Sequence, residues 1–147
     1  IESASVTASC AVSQGEEILG EYTLNHKKTH SEKLMPLIED LMKDLQLKIS
    51  DMDYIAISRG PGSYTGLRIG AAIGKSMAYA GGMEIISVPT LQSLAANIYH
   101  TDKLIVPVMD ARGGRIYTGI YKWEKGMCTE VKEQFQSHNL IVGHSLR

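Results

Sequence analysis

A chain of 147 residues is long enough for one core, or for two small lobes sharing a sheet. Its composition, 44% hydrophobic and 21% charged, is that of an ordinary globular protein. A net charge of −1 supplies no basic field for standalone nucleic-acid binding. No run of about 18 apolar residues is present to span a membrane as a helix. No signal peptide is visible, and a cytoplasmic compartment is the default expectation.

Ile1-Glu2-Ser3 reads as the tail of a strand whose beginning lies outside the sequence. Ala8 to Ser13 and Ile18 to Leu24 are strand candidates joined by the polar turn Gln14-Gly15-Glu16. Cys10 falls in the apolar part of the first, where a buried reduced thiol is expected. Cys128 stands apart, so neither cysteine has the spacing of a zinc site. Asn25 to His30 is a polar connection. Thr29-x-x-Glu32 has capping-box spacing, and an apolar-periodic helix follows to about Leu45.

On that helix Leu34, Ile38, Leu41 and Leu45 form one stripe, and Met35 with Met42 forms a second. The two together are wider than one core-facing stripe requires. Such a helix is either buried deep in its own fold or shared with a partner, and sharing is favoured here. Pro36 starts the regular helix late or bends it.

Tyr54 to Ser58 is a strand that runs into Gly60-Pro61-Gly62-Ser63-Tyr64-Thr65-Gly66-Leu67-Arg68-Ile69-Gly70 and a helix reaching about Ala80. Strand, glycine turn and helix bring backbone N–H groups close to a partner group, which in many proteins is an anion. Neither G-x-x-x-x-G-K-[ST] nor G-x-G-x-x-G is satisfied. Gly66, Gly70, Gly74 and Ala78 recur every four residues along one face. Glycine inside a helix costs about 1 kcal/mol relative to alanine. The stripe therefore implies a close approach, either by the domain's own sheet or by a helix of another subunit.

Downstream, Met83 to Val88 is a strand stopped by Pro89, and Thr90 to Ile98 is a short helix with Thr90 as its cap. Leu104 to Met109 reads as a buried strand. Asp110 to Arg115 makes a turn, Ile116 to Tyr121 returns, and Met127 to Val131 adds a third strand. Ile141 to Ser145 resembles a strand ending in a glycine turn. The order spells a mixed-sheet α/β fold.

Few side chains offer chemistry on their own. Ser63, Tyr64 and Thr65 lack a definable base, and a helix-capping role is favoured for their hydroxyls. Arg59 and Arg68 suit phosphate or carboxylate recognition. Asp110 and Arg112 sit at a strand end, where a local pair fixing the hairpin is the alternative to a site. Trp123 and the seven tyrosines show no spacing for base stacking. His26 and His30 have His-x-x-x-His spacing but precede the helix cap, so they are read as coincidental.

These motifs resemble the TsaB family, also called YeaZ, of tRNA threonylcarbamoyladenosine biosynthesis proteins. The matching residues are Ile1 to Ser5 with Ser9 to Val12, then His30-Ser31-Glu32-x-Leu34-x-Pro36 and the block from Gly60 to Gly70. Val88-Pro89-Thr90-Leu91 and Asp110-Ala111-Arg112 with Ile116-Tyr117 complete the match, which covers roughly residues 1 to 131.

The resemblance implies the actin, sugar-kinase and Hsp70 (ASKHA) type of fold, two related lobes on mixed sheets. Residues 1–100 would form the first lobe and 101–147 the start of the second, incomplete, with a break expected near 135–140. It implies a non-catalytic subunit that forms a homodimer alone and a heterodimer with the catalytic paralogue TsaD, joined by the ATPase TsaE. The assembly would place threonylcarbamoyl on adenosine 37 of tRNA, which this chain would meet only through the complex.

The interface expected is Leu34, Ile38, Leu41, Met42, Leu45, Gly66, Arg68, Gly70 and Gly74. Glu2, Arg59, Gly62 and Ser63 are the residues nearest any nucleotide. No catalytic residue, metal ligand or stably bound cofactor is assigned to the chain. ATP or ADP with magnesium is expected, if anywhere, at the complex interface. The opening Glu2-Ser3-Ala4-Ser5 has no glycine, unlike nucleotide-binding relatives, although Glu2 has the reach to meet magnesium. An ATP-dependent phosphotransferase or peptidase-like hydrolase of the ASKHA class is the alternative.

Overall fold

The structure, a computed structural model, describes residues 1–25 and 30–138. The capping box at Thr29, the His26–His30 spacing and the strand expected from Ile141 lie outside the described residues. Of the segment near 135–140 in which a gap was expected, residues 135–138 are described and 139–140 are not. The chain divides into two compact units, Ile1–Val88 and Pro89–Arg147.

The first unit opens with β1 (Ala8–Gln14) and β2 (Glu17–Leu24), paired antiparallel with a bulge between Val12 and Ser13. Helix α1 (His30–Asp44) includes Pro36, and a 3₁₀ turn at Ile49–Asp51 leads to β3 (Tyr54–Ser58). Helix α2 (Tyr64–Gly81) follows the glycine turn, and β4 (Glu84–Val88) pairs parallel with β3. Met83 was expected in that strand. Its N–H instead closes the end of α2 on the Ala78 carbonyl, behind Gly82 at φ 68°.

Ile1 and Glu2 lie between the two strand pairs. Glu2 exchanges both backbone hydrogen bonds with Ser9 of β1 at 2.9 Å. The Ile1 ammonium donates to the Ala56 carbonyl at 2.8 Å, and Ser58 N–H donates to the Ile1 carbonyl at 3.2 Å. Ala8, Cys10, Leu34, Ile38, Leu41, Ile55, Ile57, Met77 and Ala78 form the core under α1 and α2.

The second unit carries α3 (Thr90–Ala96) and the antiparallel sheet β5 (Val108–Arg112), β6 (Arg115–Glu124) and β7 (Met127–His138). Leu91, Ala95, Ile105, Tyr121 and Cys128 make its core. The boundary falls at Val88 rather than at residue 100, because α3 buries Leu91 and Ala95 against this sheet. Pro89, not Thr90, stands at the cap position, and the Thr90 hydroxyl is buried inside the first turn.

The run Leu104–Met109 is not a buried strand. Leu104, Val106 and Val108 are exposed, and Ile105 alone bridges to Tyr121 before the ladder begins at Val108. Pro107 has no N–H to give a ladder, and its carbonyl accepts from the Thr118 hydroxyl at 2.8 Å. β7 also runs seven residues beyond the expected end at Val131. No helix among the described residues is long and apolar enough to cross a membrane.

Candidate functional site

The glycine turn and the opening loop are built against each other. Ser63 N–H donates to the Ala4 carbonyl at 2.6 Å, and Gly66 N–H donates to the Ser63 hydroxyl at 3.3 Å, which makes Ser63 the cap of α2. A Cβ on Gly62 would fall within 3.0 Å of the Ala4 carbonyl. Gly60 sits at φ 102°, where a side chain is strained whatever the space. The amides that such a turn offers to an anion are thus partly consumed by the chain's own loop.

Glu2 is occupied in the same way. Its Oε1 accepts from Ala4 N–H at 2.6 Å, and its Oε2 accepts from the Ser58 hydroxyl. The carboxylate ties the opening loop to the end of β3. Among the described residues no group of three or more His, Cys, Asp or Glu is placed to hold a metal ion.

The glycine stripe of α2 faces inward. The Ser3 hydroxyl, 2% exposed, donates to the Gly66 carbonyl at 2.9 Å. A Cβ on Gly66 would strike the Ser3 carbonyl, one on Gly70 the Ser3 hydroxyl, and one on Gly74 the Ile57 side chain at 2.5 Å. Gly66 and Gly70 therefore admit the chain's own opening loop at Ser3, and Gly74 admits Ile57 of β3, which corrects their placement in a partner interface. Leu34, Ile38 and Leu41 are likewise buried in the unit's own core. Of the expected interface, Met42 and Leu45 remain half-buried and Arg68 is exposed.

The opposite face of α2 is open. Tyr64, Arg68, Ala72, Lys75 and Tyr79 follow one another at spacings of three and four, and Tyr79 is 92% exposed. Arg68 donates to the Tyr64 hydroxyl at 3.3 Å, with its guanidinium 5.4 Å from that ring's centre. Separately, a cavity of about 300 Å³ lies along Met35, Glu39 and Met42 of α1 and reaches the buried Met77 of α2. Met35, Tyr64 and Tyr79 were absent from the expected interface. The signal for the two tyrosines was there, since a glycine stripe that faces in puts residues 64, 68, 72, 75 and 79 outward.

The remaining candidates have local roles. Arg59 is exposed, and its N–H donates to the Val88 carbonyl at 2.9 Å. Asp110 accepts from the backbone N–H of Arg112 at 2.7 Å, so its carboxylate fixes the turn through the main chain rather than by pairing with the guanidinium. Cys10 and Cys128 are buried free thiols, both pushed above the ordinary cysteine range by burial.

The family model described as TsaD, tRNA N6-adenosine threonylcarbamoyltransferase, matches residues 17–144. The tRNA threonylcarbamoyladenosine biosynthesis protein TsaB of Bacillus subtilis is 37% identical over 131 residues, 89% of this chain and 57% of that protein. Its counterpart in Haemophilus influenzae is 29% identical over 117 residues, 78% of this chain and 49% of that protein. The solved structure of YeaZ from Pseudomonas aeruginosa superposes with a TM-score of 0.85 at 25% identity, covering 92% of this chain and 64% of that one. The chain thus spans about half the length of the curated relatives it matches. With the mixed α/β architecture and the self-packed glycine turn, these matches place the chain in the TsaB (YeaZ) family, on the ASKHA type of fold.

Proposed function

We propose that this protein takes part in tRNA threonylcarbamoyladenosine synthesis as a non-catalytic subunit, in the cytoplasm. It docks the catalytic paralogue TsaD through the outer faces of α1 and α2, and it self-associates through the same surface when alone. TsaE and tRNA join the assembly, and tRNA is met only through the complex. ATP or ADP with magnesium, where present, is held at the subunit junction by groups other than the glycine turn.

The observation that carries this reading is the outer face of α2. Tyr64, Arg68 and Tyr79 stand exposed along one side of α2, and Met35 and Met42 line a hollow on α1. Aromatic, Met and Arg side chains are the types enriched in interfaces. The Ser63 N–H of the glycine turn is meanwhile bonded to the opening loop, and the Glu2 carboxylate is held by Ala4 N–H and the Ser58 hydroxyl.

The test is in vitro tRNA modification by purified TsaD and TsaE with and without this protein, read beside co-elution with TsaD. Modification that needs this protein, together with co-elution, is the expected result. Nucleotide hydrolysis by the isolated protein, lost on Glu2→Ala, would instead favour an enzyme.

A further inference from the structure

The β5–β6 hairpin of the second unit ends in Arg112-Gly113-Gly114-Arg115, and every residue of that tip is exposed. We infer that Arg112 and Arg115 form a fork for a backbone phosphate of RNA, a contact that this chain makes inside the assembled complex. The inference rests on the tRNA role proposed above and names this chain's own contact with that RNA.

The hairpin holds the fork ready. Arg112 and Arg115 are partners in the antiparallel ladder, side by side across the turn. Gly113 and Gly114, at φ 61° and 70°, close it as the two-residue turn that hairpins favour. Arg112 itself stands at φ 62°, an uncommon conformation for a residue with a side chain. The Asp110 carboxylate supports it there by accepting from the Arg112 N–H at 2.7 Å. Arg115 Nε donates to the Arg112 carbonyl at 3.3 Å, which ties the guanidinium to the turn and leaves its Nη groups for another acceptor. Among the described residues neither guanidinium is in an ion pair, whereas Lys122 has one with Glu124.

The make-up of the tip decides the kind of partner. A protein interface is anchored by apolar or aromatic side chains that exclude water around its polar contacts. Between these two arginines stand only glycines. Phosphate contacts need no such anchor, because they are polar and wet and are made largely by arginine, lysine and backbone N–H groups. A guanidinium also matches two phosphate oxygens at once. The second unit carries seven Lys and Arg against five Asp and Glu, in a chain that is −1 as a whole. Two phosphate contacts are too few to hold RNA alone, which suits a role inside the complex.

The test measures the tRNA affinity of the complex with purified TsaD and TsaE across a salt series. Wild type is compared with Arg112→Ala, Arg115→Ala and the double variant. The double variant should bind about tenfold more weakly, with the slope of log K against log salt shallower by about 1 for each arginine removed. Its Tm and its co-elution with TsaD should match wild type. Unchanged tRNA affinity and slope would overturn the inference, and so would loss of co-elution, by making the hairpin a protein contact. A second measurement does not depend on TsaD. In the chain alone at low salt, a single-stranded RNA oligonucleotide should shift the Arg112 and Arg115 Nε–Hε NMR signals, and a glutamate peptide of equal charge should not. A wild type that does not co-elute with TsaD would count against the proposed function alone. No shift with RNA, or an equal shift with the peptide, would overturn the phosphate fork.

Discussion

The Ser3 hydroxyl donates to the carbonyl of Gly66, 63 residues away, and thereby seats the opening loop on the glycine face of α2. This one bond decides how the most conspicuous sequence in the chain is used. The small residues are there so that Ser3 and Ile57 can approach the helix backbone.

Gly66→Ala and Gly70→Ala should therefore both destabilise, although alanine in a helix interior ordinarily gains about 1 kcal/mol over glycine. Gly66→Ala drives a methyl into a backbone carbonyl and should cost about 3 kcal/mol or more. Gly70→Ala meets only a side-chain hydroxyl and should cost less, about 1–3 kcal/mol. Ser3→Ala should lessen that second penalty, since the Ser3 Cβ would stand 3.6 Å from the new methyl. Thermal melts of Gly66→Ala, Gly70→Ala, Ser3→Ala and the Ser3→Ala, Gly70→Ala double variant check this, and a stabilising Gly66→Ala would contradict it.

Glu2→Ala removes the acceptor for Ala4 N–H and for the Ser58 hydroxyl. A loss of about 1–3 kcal/mol is expected from leaving such groups unpaired. Ser63→Ala should cost about 1 kcal/mol as a lost cap. On the proposed role, neither should lower tRNA modification per folded complex by more than about tenfold, whereas a true acid, base or nucleophile commonly costs a hundredfold. Denaturant curves beside the modification assay separate the two kinds of loss.

Much of the first unit was legible in the sequence because its signals are local. Tyr54–Ser58 is an apolar run closed by a glycine turn, and α2 announces its start at Ser63 and its end at Gly82. Which side of α2 faces in was not local. It is decided by Ser3 and Ile57, which the fold brings from elsewhere, and a period of four is the same for either side. Leu104–Met109 misled for a related reason. An apolar run was read as a buried strand, while Pro107 and the single Ile105–Tyr121 bridge leave alternate residues in solvent. Glu2 and Asp110 were visible as carboxylates, but not that backbone N–H groups already hold them.

The account's central claim is that the outer faces of α1 and α2 meet the partner and the glycine face does not. The direct measurement is the affinity for TsaD, by calorimetric titration, of wild type, Arg68→Ala, Tyr79→Asp and Met42→Asp, each with its own thermal melt. The account predicts binding weakened by about tenfold or more for variants whose Tm stays within about 2 °C of wild type. Unchanged affinity in all three folded variants would contradict it.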